Sequence, residues 1–386
     1  MKKVIKIKNK DRQILEGSRA IALTIKNISP DVISAYPITP QTHIVEDLAK
    51  FKADGKTDYE YIRAESEFAA ASIVLGASAT GVRTYSATSS QGLLLMSEVL
   101  YNISGMRLPV VITCANRAIS SPINIWNDHS DVMALRDSGF LQFFAETHQE
   151  AVYQHILAYK IAEMTMLPVM INVDGFILTH SYEEVIIPSK TMIKKYLPTY
   201  KPEIGTYLNP KNPVTLGGFY PPEHYSQTRE DLFTDTRESL KLIKQEWKNL
   251  QSVFNYKSKS NGLTEYTGNI KAKTIIIALG SVAGTIKEVI KKDKQCALLK
   301  ICSFRPFPAD EIRQKTQFAK NIIVIDKAIS LSEYGPLGTE IKATIEDSKK
   351  NIKNYIAGLG GRDISEEAIK SLIKTANTSS KKVIFI

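Results

Sequence analysis

The chain has 386 residues, 43% hydrophobic and 23% charged, with a formal net charge of +10, enough length for two or three domains with full cores. Its longest apolar runs, such as Met166–Ile171 and Ile275–Leu279, are strand-length and fall far short of the roughly 20 residues of a membrane span. Three cysteines (Cys114, Cys296, Cys302) and no Cys-x-x-Cys argue against a disulfide framework and against an iron–sulfur cluster carried by this chain alone, and they point to a reducing cytoplasm.

The amino-terminal "MKKVIKIKNKDRQILEG" lacks an apolar core of signal-peptide length. The basic excess lies outside residues 31–150, which hold 8 Lys/Arg against 14 Asp/Glu. Lysines scattered over solvated faces account for it, and neither a nucleic-acid nor a membrane partner is expected.

From residue 32 onward, strand-length apolar runs alternate with helical patterns. "VISAYPIT" reads as a strand ending in a Pro-x-Thr-Pro turn, "THIVEDLAKF" as a helix, "YEYIRA" as a strand and "SEFAAASIVLGASAT" as an alanine-rich helix closed by Gly81. "VRTYSAT" is a strand, "SQGLLLMSEVLYNIS" one helix and "LPVVITCA" a buried strand. A long polar connection follows, then "FLQFFA", the helix "HQEAVYQHILAYKIAEM" and the strand "LPVMINVDGF". Such alternation predicts a parallel sheet covered on both faces, with its site beyond the carboxyl ends of the strands. Tyr36–Pro40, Ala64–Glu67, Thr88–Gln91 and Asn116–Asp131 are therefore expected at one sheet edge.

Residues 185–268 are rich in Pro, Lys and Tyr and read as an extended linker that wraps another surface, with one helix at about Glu230–Phe254. Then βα alternation resumes from "KTIIIALGS", through "CALLKICSFRPFP" read as one strand segment, to "NYIAGLGGRDIS". The expected partition is 1–184, 185–268 and 269–386: an α/β domain, a linker and a second, smaller α/β domain.

Four features carry chemistry, each with a plainer alternative. Thr39, between Pro37 and Pro40, caps a rigid turn or faces a ligand. Glu67, in the first turn of a helix, complements its dipole or polarises a bound heterocycle; Glu65 is the competing carboxylate. Arg117 grips an anionic ligand in two-pronged fashion or pairs with Asp128 or Asp131. His129, without a second histidine at ligand spacing, reads as a hydrogen-bonded loop residue rather than a metal ligand, and no metal is expected on this chain. Gly-x-Gly-x-x-Gly, Walker and Gly-Asp-Gly diphosphate loops are missing from the sequence.

"AYPITPQT", "ESEFAAASIVLGASATGVRTYSATSSQGLLLMSEVLYNISGMRLPVV", "NRAISSPINIWNDHSDVMALRDSGF", "DGF" and "GLGGRDIS", in that order, resemble the alpha subunits of the 2-oxoacid:ferredoxin oxidoreductases, most closely those of the pyruvate type. The resemblance implies a domain over the aminopyrimidine ring of thiamine diphosphate, followed by a transketolase carboxy-terminal-like domain. It implies beta-, gamma- and delta-type partner subunits that hold the diphosphate with magnesium and the [4Fe-4S] clusters. Pyruvate, coenzyme A and, through the partners, ferredoxin would be the reactants. Within the same resemblance Glu67 hydrogen-bonds the pyrimidine ring, and Thr39 contacts substrate and cofactor. Arg117 holds the substrate carboxylate, Ile125 lines the pocket, Pro37 and Gln91 touch the cofactor, and Asp128 and His129 support the loop. A branched-chain 2-oxoacid or 2-oxoglutarate specificity, and a non-catalytic assembly subunit, are the alternatives.

Overall fold

The computed structural model describes residues 12–293, 295–346, 349–376 and 380–386. The first part runs β1 (Arg12–Glu16), α1 (Gly17–Ile28), β2 (Val32–Ala35), α2 (Thr42–Ala53), β3 (Glu60–Arg63), α3 (Glu67–Ala79), β4 (Thr84–Thr88), α4 (Ser90–Leu95), α5 (Ser97–Gly105), β5 (Val111–Asn116), α6 (Ser130–Ala134), β6 (Leu141–Phe144), α7 (His148–Thr165) and β7 (Val169–Asp174). It continues through β8 (Tyr182–Ile186), α8 (Lys190–Tyr196), α9 (Pro222–Phe254) and β9 (Thr264–Gly268). The rest comprises β10 (Thr274–Ala278), α10 (Val282–Ile290), β11 (Cys296–Ile301), β12 (Ser303–Arg305), α11 (Ala309–Thr316), β13 (Asn321–Asp326), α12 (Pro336–Thr344), β14 (Asn351–Ile356), α13 (Glu366–Thr375) and β15 (Val383–Phe385).

These elements form the two expected α/β layers. One sheet has the strand order β12-β6-β7-β5-β4-β2-β3, parallel except for β12 on β6. The other has the order β15-β14-β13-β10-β11-β9, parallel except for β9 on β11. Every residue of β5 and of β7 is buried. That is why both read as near-continuous apolar runs: a parallel strand covered by helices on both faces has no polar side to alternate with. Helix α7 packs against α1, α9 and β7, so it is buried nearly all round, its buried positions including His148, Glu150, Gln154 and His155.

The stretch expected as one helix from residue 90 is two, interrupted at Met96. The expected linker 185–268 carries more structure than one helix. α8 starts on a Ser189 cap whose hydroxyl accepts from Met192 N, and β9 is an edge strand of the second sheet. α9 begins at Pro222 rather than Glu230. Its buried stripe (Leu232, Ser239, Ile243, Glu246, Trp247, Leu250, Phe254) starts only at its eleventh residue, so its first turns carry no apolar period to read. The irregular segment before it lies on this chain's own surface: Leu208 N donates to Ala79 O at 2.7 Å, and Gly217 lies against Met106.

The segment expected as a single strand from Cys296 is the main correction. β11 stays in the second sheet, and after Cys302 the chain crosses to pair β12 antiparallel with β6, Ser303 opposite Phe143. The two layers are therefore stitched together. Phe144 meets Phe304 edge-on at 6.2 Å. Lys300, 2% exposed, contacts Glu146 at 2.6 Å, Glu150 at 3.0 Å and Glu265 at 2.9 Å. β1 and β8, 166 residues apart from Glu16 to Tyr182, form a separate two-stranded antiparallel ladder.

Candidate functional site

The carboxyl ends of β2, β4 and β5 are neighbours in a parallel sheet, so the turns that follow them meet. Gln41, after β2, donates from Nε2 to Ala87 O on β4 at 2.6 Å. Ser90, after β4, holds a left-handed backbone (φ 48°). Its hydroxyl is shared between Gln91 Oε1 and Ala118 O, and its N–H donates to Asp131 at 3.0 Å. Arg117, after β5, donates from Nη1 to Thr39 O at 2.9 Å and from Nε to Asn124 O at 3.0 Å.

Glu67 opens α3, whose Ser66 cap accepts from Ala69 N. It is buried, 7% exposed, whereas Glu65 two residues earlier is exposed. Among the described residues its carboxylate has no cation or hydrogen-bond donor. A Cβ on Gly92 would stand 2.6 Å from Glu67 Oε1 and 2.6 Å from Thr88 Oγ1, so only glycine lets the start of α4 pass this close. Thr88 Oγ1, Ser89 Oγ and Gln91 Nε2 are likewise buried without partners. Buried polar groups left open on one edge are rare in folded proteins and call for a ligand or water.

Arg117 is 6% exposed. Burial lowers its pKa, Asp131 opposing, but a guanidinium stays charged in a protein. It makes no ion pair with Asp128 or Asp131. Asp131 instead accepts the main-chain N–H groups of Arg117 (2.9 Å), Ser90 (3.0 Å) and Val132 (2.7 Å) and Asn116 Nδ2 at 3.1 Å. Burial pushes its carboxyl up to about 6 against those bonds. The third guanidinium nitrogen, Nη2, has no partner among the described residues. Arg117 is thus aimed by two carbonyls and left without a neutralising carboxylate, the arrangement that favours an anionic ligand.

Thr39 is exposed, while Pro37, Gln91 and Ile125 are half-buried. Asp128 accepts from Ser130 N at 2.9 Å and from Gly360 N at 3.2 Å. His129 Nε2 lies 2.6 Å from Asp174 Oδ1, and its main-chain N donates to Lys327 O at 2.7 Å. Asp174 also takes Lys327 Nζ at 3.0 Å and the Ser281 N–H at 3.0 Å. Burial would raise its pKa, but Lys327 and His129 outweigh that and hold it far below the usual carboxylate range. Asp174 and Lys327 follow from no sequence pattern; the only signal is a charged residue at the end of a buried strand, in "NVD" and "VIDK".

One His/Glu grouping among the described residues, Glu16, His43 and His180, brings its ligand atoms within 4.8 Å. Glu16 already pairs with His43 Nδ1 at 2.7 Å, His180 Nδ1 lies 2.7 Å from Thr179 Oγ1, and the two imidazoles lie tilted against each other at 4.7 Å. A separate cleft of about 970 Å³, lined in part by Arg229, Phe233, Lys241 and Arg305, contains none of the candidate residues.

A family profile described as pyruvate flavodoxin/ferredoxin oxidoreductase, thiamine-diphosphate-binding, matches residues 24–248, and one for core domain II of pyruvate:ferredoxin oxidoreductase matches 272–369. The chain is 46% identical over 368 residues to pyruvate synthase subunit PorA of Methanocaldococcus jannaschii, covering 94% of each chain. It is 44% identical to the subunit of the same name from Methanosarcina barkeri, over 97% of this chain and 94% of that one. Ketoisovalerate oxidoreductase subunit VorA of Pyrococcus horikoshii is 36% identical over 97% of this chain and 95% of its own. Among solved structures, a 2-oxoglutarate:ferredoxin oxidoreductase from Magnetococcus marinus superposes with a TM-score of 0.74 at 21% identity; the match covers 95% of this chain and 65% of that longer one.

Proposed function

This chain belongs to the pyruvate flavodoxin/ferredoxin oxidoreductase family, and we propose that it is the alpha-type subunit of a pyruvate synthase. The reaction converts pyruvate and coenzyme A to acetyl-CoA and carbon dioxide, passing an electron pair, one electron at a time, to ferredoxin. The observation that supports this reading is a pair of groups on one sheet edge: among the described residues, a buried Glu67 carboxylate has no cation and an Arg117 guanidinium has no carboxylate.

The residues present fit an aminopyrimidine ring. Glu67 and the open Gln91 Nε2 and Thr88 Oγ1 offer an acid and hydrogen-bonding atoms over a surface kept clear by Gly92. When bound, thiamine diphosphate supplies a nucleophilic carbon and an electron sink. Glu67 holds the proton that polarises the ring nitrogen, and Pro37 and Gln91 pack against the ring. Arg117 binds the substrate carboxylate, with Thr39 beside the 2-oxo group, and Ile125 walls the pocket at the methyl end.

Beta-, gamma- and delta-type partners supply the diphosphate site with magnesium, the clusters and the contact with ferredoxin. Cys114, Cys296 and Cys302, all buried, do not make up the four thiolates a cluster requires. Buried free thiols also fit a reducing cytoplasm, and no described helix is long and apolar enough to cross a membrane.

Co-expression with these partner subunits, followed by viologen reduction with pyruvate, 3-methyl-2-oxobutanoate or 2-oxoglutarate, tests the reading. Coenzyme A-dependent reduction with the highest kcat/KM on pyruvate supports it. A higher kcat/KM on either of the others reassigns the substrate, and an assembled but inactive complex removes the catalytic role.

A further inference from the structure

The turn after β14 in the second domain does more than close a strand. Gly361 N donates to Asn127 O at 2.7 Å, Gly360 N donates to Asp128 Oδ2 at 3.2 Å, and Asn124 Nδ2 donates to Gly360 O at 3.2 Å. Three residues of the Arg117 loop are thus held by two consecutive glycines more than 230 residues away. Both glycines are left-handed, with φ 58° and 83°. A Cβ on Gly360 would stand 2.6 Å from Asn124 Nδ2, and one on Gly361 would stand 2.4 Å from Trp126 Cβ, so a side chain is strained at both positions and displaces the loop it meets.

We propose that the Gly360–Gly361 turn is a positioning element for substrate binding, setting the aim of the Arg117 guanidinium through Asn124. The proposal rests on the reading of Arg117 as the ligand of the 2-oxoacid carboxylate. The link is short. Asn124 O is one of the two acceptors that orient the guanidinium, and the same residue's Nδ2 is anchored on Gly360 O while its Oδ1 accepts from Trp126 N at 2.8 Å. The loop tip has little other support: residues 120–123 are exposed, Ile123 at 79%. The second domain therefore supplies no reacting group here. It fixes the register of the loop that binds substrate, and in a site where reacting groups are held by orientation such a shift is felt in binding.

The test uses the assembled, co-expressed holoenzyme. Gly361→Ala is expected to raise the pyruvate KM by about tenfold, the scale of one lost or misdirected hydrogen bond. The KM for coenzyme A and the thiamine diphosphate content should stay unchanged. Asn124→Ala keeps the backbone carbonyl but cuts the anchor, and it should raise the pyruvate KM in the same direction. The double variant should be no worse than Gly361→Ala alone, because both remove one coupled contact. Faster hydrogen exchange at residues 118–128 should accompany the change in KM.

A purely structural turn would instead lower the melting temperature with both KM values kept; that result in Asn124→Ala, which is mild enough to assemble if Gly361→Ala is not, overturns the proposal. Arg117→Ala separates the two layers of argument. If it leaves the pyruvate KM unchanged, the reading of Arg117 fails. If it raises the KM while Asn124→Ala and Gly361→Ala do not, only the positioning role fails.

Discussion

Glu67 and Glu65 stand two residues apart, and burial separates them. The exposed Glu65 faces water, whereas Glu67 lies behind the start of α4 with no donor of its own. Glu67→Gln in the holoenzyme should leave assembly intact and slow turnover by about 100-fold or more, the range of a lost acid–base group. Glu65→Gln should be silent; steady-state viologen reduction by the two variants distinguishes them, and the reverse order would reassign the acid. Arg117 is read the same way. Charge-assisted hydrogen bonds from it to a substrate carboxylate would contribute roughly 1.5–3 kcal/mol, so Arg117→Ala should raise the pyruvate KM about ten- to a hundredfold with the KM for coenzyme A preserved. Arg117→Lys should recover only part of this, since a point charge cannot keep the bonds to Thr39 O and Asn124 O and also grip a planar anion. What the residues alone did not disclose is the role of Asp131. Its spacing after Arg117 allowed an ion pair, yet the folded loop turns its carboxylate toward main-chain N–H groups, a choice that only the backbone path decides.

At the level of elements, the strands that could be read from the sequence are those whose burial is symmetrical. β5 and β7 are largely apolar because helices cover both faces, and α7 is buried on almost every side by its neighbours. β12 could not be read as separate from β11, since Cys302 is no turn former and the pairing that draws Ser303 away lies on another sheet. β1 and β8 failed for the same reason: an antiparallel partner more than 160 residues distant leaves no local signature. α7 also carries a testable titration. His155, fully buried, accepts at Nε2 from the Thr113 hydroxyl at 2.6 Å and donates from Nδ1 to Ala151 O at 2.7 Å, and burial lowers its pKa to about 4. As pH falls through 6.5 the unfolded chain takes up this proton and the folded one does not until about 4. The stability His155 contributes is therefore lost across that window, at up to about 1.4 kcal/mol per pH unit. Asp131 and Asp326, both pushed up to about 6 by burial, act in the opposite sense, so the histidine has to be isolated by difference. The melting-temperature gap between the wild type and His155→Gln should shrink from pH 7 to pH 4.5; a constant gap would mean that His155 is not held neutral.

For the whole molecule, the separation of roles between chains makes a prediction about binding. The edge proposed to face the pyrimidine lies on this chain, and the diphosphate site is proposed to lie on a partner. The isolated chain should therefore bind thiamine diphosphate only weakly in titration calorimetry, and tight binding, at micromolar Kd, should return with the partner subunits. Micromolar binding to the isolated chain would place the whole cofactor site on this subunit. The meeting of these turns at the strand ends was legible from the alternation of strands and helices, whereas the roles proposed for their residues come from the family resemblance. The joining of the two domains was not. Lys300 with its three glutamates, and Asp174 with Lys327 and His129, acquire their meaning only when residues from both domains are brought face to face.

The crossing of β12 also has a consequence in time. β6 ends at Phe144, but the strand that covers its outer edge begins at Ser303, so the first sheet is synthesised long before it can be closed. The sheet up to β6 is complete once β7 ends at Asp174, and at roughly 5–20 residues per second of chain elongation its β6 edge then stays open for about 6–26 seconds. Unpaired edges of this kind recruit other strands. Slow passage through residues 175–302, or truncation within them, is expected to leave a nascent chain that pairs with its neighbours on the polysome.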